Sequence, residues 1–247
     1  MKILLFFLLS IFSFAGTIRV AVAANVSYAI EALIKDFNKQ NPNIKIEVNI
    51  GSSGKLTAQI MQNAPYDIFM SADMGYPQIL YSKGMALNEP KVYANGSLAL
   101  FTKRKDINLT KGIAVILDNK IKRVAVANPK TAPYGVATQE ALKNAKLYSR
   151  AKPKFIYGQS IGQTLTYALT ATDIGFVAKS TLLSDKLSQY KKDENWIDVP
   201  LNLYTPIEQG IVLIKRAKNS VDAKSFYSYI LSNRAKEIFK KFGYITK

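Results

Sequence analysis

Residues 51–56, Gly-Ser-Ser-Gly-Lys-Leu, combine residue types that several kinds of functional site use. Ser52 and Lys55 have the Ser-x-x-Lys spacing of a serine nucleophile with its lysine base, as in the serine penicillin-recognising enzymes. Glycines beside a lysine also occur in phosphate-binding loops, and hydroxyl groups at a helix start can bind an anion or simply cap the helix. Four roles are therefore possible for this segment and have to be distinguished: acyl transfer, nucleotide binding, anion capture and helix capping.

The nucleotide-binding interpretation fails on spacing. A P-loop has Gly-x4-Gly-Lys followed by Ser or Thr, whereas Asn49 stands at the first glycine position and Leu56 follows the lysine. The hydrolase interpretation lacks its other elements, because the sequence contains no Ser-Asp-Asn and only Lys130-Thr131-Ala132 approaches Lys-Thr-Gly. A serine hydrolase using Ser52 and Lys55 remains only as an alternative, since Ser-x-x-Lys is common by chance.

Composition excludes several classes of chemistry. The 247 residues include no cysteine and no histidine, which rules out disulfides, thiol catalysis, common zinc sites and imidazole bases. Any metal site would need oxygen ligands only. The formal charge is +17, but the lysines and arginines form only short, scattered clusters. We therefore expect a basic surface that attracts small anions, and no nucleic-acid partner.

Residues 1–15 have the pattern of a signal peptide. Lys2 gives a positive start, residues 3–14 are almost entirely apolar, and Ser13 and Ala15 place small residues where signal peptidase reads the chain. The apolar run is too short to span a bilayer comfortably. We predict cleavage after Ala15 and a soluble periplasmic protein, and the lack of cysteine argues against a lipid anchor.

Strand and helix patterns alternate along the rest of the chain. Strands are predicted at 18–22, 44–50, 67–70, 98–102, 124–127, 155–157, 175–177 and 210–214, and helices at 30–37, 56–60, 76–81, 136–145, 161–169, 221–231 and 234–242. This order predicts an α/β fold with two lobes, each a mainly parallel sheet flanked by helices. We assign residues 16–100 and 208–247 to lobe 1 and residues 101–207 to lobe 2, with the ligand in the cleft between them.

Four segments share the layout of a strand, a small or polar loop and then a helix. They are 23–25, 51–54, 132–135 and 158–162. Each one alone is best explained as a helix cap. Together they would direct unpaired backbone N–H groups and the positive ends of helix dipoles at one crevice, which favours an oxyanion held between the lobes. Asp67 and Asp73 could form a carboxylate pair, but capping or hinge hydrogen bonding is the preferred interpretation.

One ten-residue segment carries the most specific family signal. Residues 64–73, Ala-Pro-Tyr-Asp-Ile-Phe-Met-Ser-Ala-Asp, are close to a signature of the periplasmic molybdate/tungstate-binding proteins of ABC importers. Ser52-Ser53, Asn128-Pro129, Pro133-Tyr134-Gly135 and the closing segment 237–244 also match. The chain resembles this family over nearly its whole mature length. The resemblance implies the type II solute-binding fold.

The resemblance also implies a set of ligand-binding residues. Asn25 and Ser53 would supply side-chain and backbone donors, and Tyr134 and Ile161 would supply backbone N–H groups. Some family members add a tyrosine hydroxyl from a later strand, where this chain has Ala178. Two roles therefore stay open for Tyr134: the backbone N–H alone, or also a hydroxyl that points inward and replaces the missing donor. We prefer the second role slightly.

The function implied by the resemblance is capture of molybdate or tungstate and delivery to an ABC permease in the inner membrane. The protein would act as a monomer, without catalysis or cofactor, and the only metal would be the one in the bound oxyanion. Alternatives are a type II binding protein for ferric ion or sulfate, the serine hydrolase mentioned above, and a protein that binds polyanions through its basic surface.

Overall fold

The computed structural model describes residues 16–246, so the predicted signal peptide lies outside the described residues. Within this range the chain forms two five-stranded sheets. The strands are β1 Thr17–Ala23, β2 Lys45–Gly51, β3 Ile68–Met70, β4 Lys91–Gly96, β5 Leu98–Phe101, β6 Val124–Ala127, β7 Phe155–Gly158, β8 Ile174–Ala178, β9 Trp196–Asp198 and β10 Ile207–Leu213. The order is β2-β1-β3-β10-β4 in the first sheet and β7-β6-β8-β5-β9 in the second.

Helices connect and cover these strands. They are α1 Ser27–Phe37, α2 Ser53–Met61, α3 Gly75–Ser82, α4 Pro133–Asn144, α5 Tyr148–Ala151, α6 Ile161–Thr170, α7 Lys179–Leu182, α8 Val221–Ile230 and α9 Asn233–Lys241. Helix α4 begins three residues earlier than its apolar spacing predicts, because Pro133 occupies the first turn, where a missing N–H costs nothing. No helix in residues 16–246 has the length and apolar character needed to cross a membrane.

Each sheet contains one strand that runs against the other four. In the first sheet β1 pairs in parallel with β2 and β3, whereas β10 is antiparallel to both β3 and β4. In the second sheet β6 pairs in parallel with β7 and β8, whereas β5 is antiparallel to both β8 and β9. The reversed strands β5 and β10 are the first strands after the two crossings between sheets. The prediction of mainly parallel sheets is thus confirmed, because four of the five strands in each sheet run in the same direction.

The two crossings define the lobes. The chain passes from β4 in the first sheet to β5 in the second through the single residue Ser97, and returns between β9 and β10. The predicted boundary after residue 100 therefore runs through β5, and the return boundary lies within one residue of the start of β10. The sequence patterns missed β4, because residues 91–96 alternate weakly and include Asn95 and Gly96.

Both faces of each sheet are buried. In lobe 1, Val20 and Val22 pack with the apolar side chains of α1, α8 and α9, while Ala21 and Phe69 face α2 and α3. In lobe 2 a cluster around Phe176 packs against α4, and the opposite face packs against α6. Ala23, Ala24 and Ala72 of lobe 1 belong to the same buried cluster as the core of lobe 2. The apolar core is therefore continuous between the lobes at the level of the cleft.

Candidate functional site

A small cavity lies where the two lobes meet. It is lined by Ala23, Ala24, Asn25, Gly51, Ser52, Ser53, Ala72, Ala132, Pro133, Tyr134 and Ile161, and its volume is about 10 Å³. No charged side chain is among these lining residues. Pockets for organic ligands usually measure about 300–1,000 Å³, so this cavity is too small for an organic ligand and leaves room only for a very small species such as an ion or a water molecule. All four residues predicted from the sequence, Asn25, Ser53, Tyr134 and Ile161, border it.

Three of these residues lie in the first turns of helices. Ser53 begins α2, Tyr134 follows Pro133 at the start of α4, and Ile161 begins α6. Each helix follows the carboxyl end of a parallel strand, β2, β6 or β7. First-turn N–H groups have no partner within their own helix. Among residues 16–246 the backbone N–H groups of Ser53, Tyr134 and Ile161 form no hydrogen bond, so they can serve a ligand.

The serines at residues 52 and 53 have different roles. The Ser53 side chain is buried, and its Oγ accepts a hydrogen bond from the Ala72 N–H at 3.0 Å, which leaves the hydroxyl proton free to donate. Ser52 is the residue before α2, and its carbonyl accepts from the Leu56 N–H at 3.0 Å. Lys55 is exposed on the first turn of α2, whereas Ser52 is buried. The segment thus forms a helix start that faces the cavity.

Asn25 reaches the cavity from the short 3-10 turn Ala24–Val26 that follows β1. Its side chain is completely buried, and its Nδ2 donates to Gln209 Oε1 at 3.0 Å and to the Tyr244 hydroxyl at 3.1 Å. The Asn25 carbonyl accepts from the hydroxyls of Tyr244 at 2.8 Å and Ser180 at 2.9 Å. The Asn25 Oδ1 atom has no hydrogen-bond partner in the described part of the chain. Asn25 is therefore held rigidly, with one polar atom unused.

The Tyr134 hydroxyl takes part in the same buried network. It accepts a hydrogen bond from Gln209 Nε2 at 3.3 Å, and it lies close to Gly96 at the end of β4. This contact leaves the hydroxyl proton free to donate, so the two predicted roles of Tyr134, the backbone N–H alone or also the hydroxyl, both stay open. Ala178, where some relatives carry the extra tyrosine, packs in the same buried cluster as Tyr134.

The tyrosines around the cavity are neutral. Burial raises the pKa of Tyr93 and of Tyr134 well above the ordinary value of a phenol, and it also raises the pKa of Tyr244. These hydroxyls therefore act as neutral hydrogen-bond partners, not as phenolates. The cavity offers an ion hydrogen-bond donors and dipoles but no counter-charge.

The two aspartates singled out from the sequence have structural roles. Asp73 Oδ1 accepts from the Tyr76 N–H at 3.2 Å and from the Ser71 hydroxyl at 2.9 Å, which caps the start of α3. Asp67 is buried, accepts from the Arg19 N–H at 2.8 Å and forms an ion pair with Arg216. For Asp73 we predicted a capping role in preference to a role in a catalytic carboxylate pair, and the capping role is confirmed. In residues 16–246 no cluster of acidic side chains could hold a metal ion.

Contacts across the cleft hold the lobes together around the cavity. The Gly54 N–H on α2 donates to the Thr131 carbonyl of lobe 2 at 3.0 Å, and the Tyr76 hydroxyl donates to the Lys130 carbonyl at 3.2 Å. An added Cβ at Gly54 would lie 3.1 Å from the Thr131 backbone, so the approach is close. The structure is therefore that of a closed cleft.

A family model described as bacterial extracellular solute-binding protein matches residues 18–245. The chain belongs to this family. The fold predicted from the sequence is confirmed by the two five-stranded sheets with flanking helices, which match a solved periplasmic binding-protein structure.

Individual relatives within the family carry a common description. The molybdate-binding proteins ModA of Rhodobacter capsulatus and Azotobacter vinelandii are each 32% identical to this chain, over 94% and 93% of its length and 90% of theirs. The solved structure of the periplasmic molybdate-binding protein of Azotobacter vinelandii matches with a TM-score of 0.86 and 31% identity, covering 93% of this chain and 99% of that one. The resemblance found from the sequence motifs is confirmed by these relatives.

Sequence patterns did not identify the network that supports Asn25. Gln209 is completely buried on β10 and contacts the buried Tyr93, while the buried Tyr244 contacts Asn25. The only available signal was a glutamine that follows a glutamate in the strand sequence Ile-Glu-Gln-Gly-Ile-Val-Leu. A buried amide in such a strand must find hydrogen-bond partners, but the sequence does not say which ones.

Proposed function

We propose that this protein captures molybdate or tungstate between its lobes and delivers it to an ABC permease. The observation that carries the proposal is the small cavity bordered by the first turns of three helices and by Asn25, without any charged side chain. A tetrahedral dianion suits this arrangement, because several unpaired N–H groups and hydroxyls can surround it from both lobes.

Neutral donors are sufficient for tight binding. A hydrogen bond to a charged group contributes roughly 1.5–3 kcal/mol net, so a handful can support nanomolar affinity, which corresponds to about −12 kcal/mol. Sulfate, with shorter bonds to oxygen, would not reach every donor at once. Phosphate carries a proton near neutral pH and needs an acceptor, which the first-turn N–H groups of Ser53, Tyr134 and Ile161 do not supply. The cavity would therefore discriminate by size and by protonation.

The proposal also covers where the protein is located and how it is processed. The mature protein would be a periplasmic monomer produced by cleavage after Ala15, with no nucleic-acid partner, cofactor or catalytic activity. Intact mass of protein isolated from the periplasm should correspond to a chain starting at Gly16, and a full-length chain in the membrane fraction would argue against export with cleavage.

The geometry supports an oxyanion better than the other ligands considered. Ferric receptors of this fold class use several tyrosine oxygens, whereas Tyr134 is the one tyrosine among the residues that line this cavity. A serine hydrolase would need a base next to Ser52, but Lys55 is exposed to solvent on α2. The membership of the chain in a solute-binding family also favours binding over catalysis.

Calorimetry with a panel of ions tests the proposal. Molybdate and tungstate should each bind one per chain and raise the melting temperature, because a ligand that binds only the native state stabilises it. Sulfate, phosphate and ferric ion should compete poorly at a thousandfold excess. Equal competition by sulfate would contradict the size argument, and tight ferric binding would replace the proposed ligand class.

A further inference from the structure

The hydroxyl of Ser180 joins the two lobes beside the cavity. Ser180 lies on α7 of lobe 2, and its Oγ donates a hydrogen bond to the Asn25 carbonyl of lobe 1 at 2.9 Å. Both residues are buried. Asn25 belongs to the turn Ala24–Val26 that follows β1, and it borders the cavity. A bond from lobe 2 therefore ends on a residue of lobe 1 that lies next to the proposed anion site.

The Asn25 carbonyl does not need Ser180 in order to be paired. The Tyr244 hydroxyl, from the C-terminal part of lobe 1, donates to the same oxygen at 2.8 Å. A carbonyl oxygen has two lone pairs and can accept both bonds. The Tyr244 contact lies within one lobe and does not depend on the distance between the lobes. The Ser180 contact does, because moving the two oxygens apart by about 1 Å would break it.

Helix α7 also contacts both crossings between the lobes. The N–H of Lys179, the residue before Ser180, donates to the carbonyl of Ser97 at 2.9 Å, and Ser97 forms the first crossing. The Lys179 ammonium group pairs with Asp198 at 2.7 Å, near the start of the return crossing. Two adjacent residues of α7 therefore connect the crossings, about which the lobes would move, with the turn beside the cavity.

A second contact between the lobes lies farther along the chain from α7. The Lys186 ammonium group lies 3.5 Å from a Glu31 carboxylate oxygen on α1 and 5.5 Å from the centre of the Tyr28 ring. The side chains of Lys186 and Glu31 are both exposed. An exposed ion pair contributes little to stability, so the buried Ser180 contact is the stronger candidate for fixing the turn.

We propose that Ser180 is a positioning residue for anion binding, whose hydroxyl meets the Asn25 carbonyl when the lobes close and thereby fixes the turn beside the cavity. The inference rests on the proposed function, because it concerns an anion held between the lobes. Ser180 is not among the residues that line the cavity, so it acts through Asn25. Since the bond forms on closure, its loss should speed dissociation of the anion and leave the association rate unchanged.

The variants Ser180→Ala and Ser184→Ala form a matched pair. Both serines are 5% exposed, but the Ser184 hydroxyl donates to the Thr181 carbonyl at 2.6 Å, within lobe 2. Ser180→Ala should weaken molybdate binding about three- to tenfold, as expected for one neutral hydrogen bond, and leave the melting temperature of the ligand-free protein within about 1 °C of the parent. Ser184→Ala should lower that melting temperature and leave the affinity within about twofold of the parent.

Calorimetry gives the affinities, thermal unfolding gives the melting temperatures, and exchange of labelled molybdate against an excess of unlabelled ion gives the dissociation rates. The loss of affinity in Ser180→Ala should appear as an equal rise in the dissociation rate. Equal affinities for the two variants, or a Ser180→Ala variant that melts earlier but releases molybdate at the parental rate, would show that Ser180 supports only the fold. Either result would overturn the proposal.

Nuclear magnetic resonance can follow the same bond in the parent protein. Asn25-Val26 is the only Asn-Val pair in the sequence, so asparagine labelled with carbon-13 at the carbonyl and valine labelled with nitrogen-15 mark this one peptide bond. Accepting a hydrogen bond deshields a carbonyl carbon. Molybdate should therefore move the Asn25 carbonyl resonance downfield in the parent, and less in Ser180→Ala.

A carbonyl resonance that molybdate does not move in the parent would overturn the proposal, even where Ser180→Ala does not fold. A parent protein that binds neither molybdate nor tungstate in calorimetry would contradict the proposed function, and the role of Ser180 would fall with it. Tight binding by the parent together with parental behaviour of Ser180→Ala would overturn the role of Ser180 alone.

Discussion

The hydroxyl and the backbone N–H of Tyr134 can be separated experimentally, which makes this residue informative. Its N–H lies in the first turn of α4 beside the cavity, while its hydroxyl contacts Gln209 at 3.3 Å. A long hydrogen bond between neutral groups contributes less than one to a buried ion. The two roles therefore differ in the affinity they predict for a variant without the hydroxyl.

If the hydroxyl serves only Gln209, Tyr134→Phe should weaken molybdate binding only two- to about tenfold, because it removes a neutral hydrogen bond of roughly 0.5–1.5 kcal/mol and keeps the N–H. Calorimetric titration of parent and variant gives the comparison. A loss approaching a hundredfold would instead make the hydroxyl a direct ligand, as the sequence-based preference had it.

At the scale of elements, the start of α4 depends on a glycine that has no space for a side chain. A Cβ added at Gly135 would lie 2.3 Å from the Ala127 carbonyl and 2.8 Å from the Pro129 nitrogen, both of which are backbone atoms. The helix start is thereby packed directly against the end of β6. This packing places the Tyr134 N–H at the cavity.

Gly135→Ala should destabilise the protein by about 1–3 kcal/mol and weaken anion binding, because the helix start must move to admit the methyl group. Gly75→Ala is a matched control at the first residue of α3, where the nearest atom to an added Cβ is 3.7 Å away. Thermal unfolding and calorimetry should separate the two variants. Similar behaviour of both would contradict this account of the α4 start.

A second element-level contact joins α1 to α9. Asp36 pairs with Arg234, whose Nη2 donates to Oδ1 at 2.8 Å, and it also accepts from the Tyr229 hydroxyl at 3.0 Å. The hydrogen bond from Arg234 is the largest cause that holds the pKa of Asp36 well below its usual range. Because folding lowers this pKa, the stabilisation is present above the ordinary aspartate pKa and is lost as the pH falls through the folded value.

Asp36→Asn should therefore lower the melting temperature at pH 7 by about 2–4 °C, as expected for a contact of modest strength in a chain of this size. The difference from the parent should shrink progressively below about pH 4, as the parent carboxylate becomes protonated. Melting curves between pH 7 and pH 2 provide the measurement. A difference that stays constant over this range would exclude the ionised carboxylate as its source.

Most helices and strands could be predicted because their apolar spacing is regular, as in α1, where Ile30, Leu33 and Phe37 are buried on one face. The loops that border the cavity were also predictable, since small residues after a strand and before a helix are a local pattern. The support of Asn25 was not, because Gln209 and Tyr244 lie 184 and 219 residues away in sequence. Such contacts depend on how the lobes meet, which no local pattern encodes.

At the scale of the whole molecule, Gly54 is a point of close contact between the lobes. Gly54→Ala would place a methyl group 2.7 Å from the Tyr76 hydroxyl and 3.1 Å from the Thr131 backbone, so full closure should become less favourable. We expect weaker molybdate binding with an unchanged melting temperature of the ligand-free protein, because Gly54 belongs to none of the buried apolar clusters. A variant that binds as tightly as the parent would show that closure does not require this contact.

The uncharged lining of the cavity has a consequence for how the cargo is released. The sequence has no histidine or cysteine, and the one titratable side chain that borders the cavity, Tyr134, has its pKa raised by burial. No lining group changes charge between pH 6 and pH 9, so the dissociation constant for molybdate should vary less than about twofold over that range. A steep pH dependence in calorimetry would contradict this. Acidification outside the cell would then not unload the carrier, and discharge would require mechanical opening of the lobes.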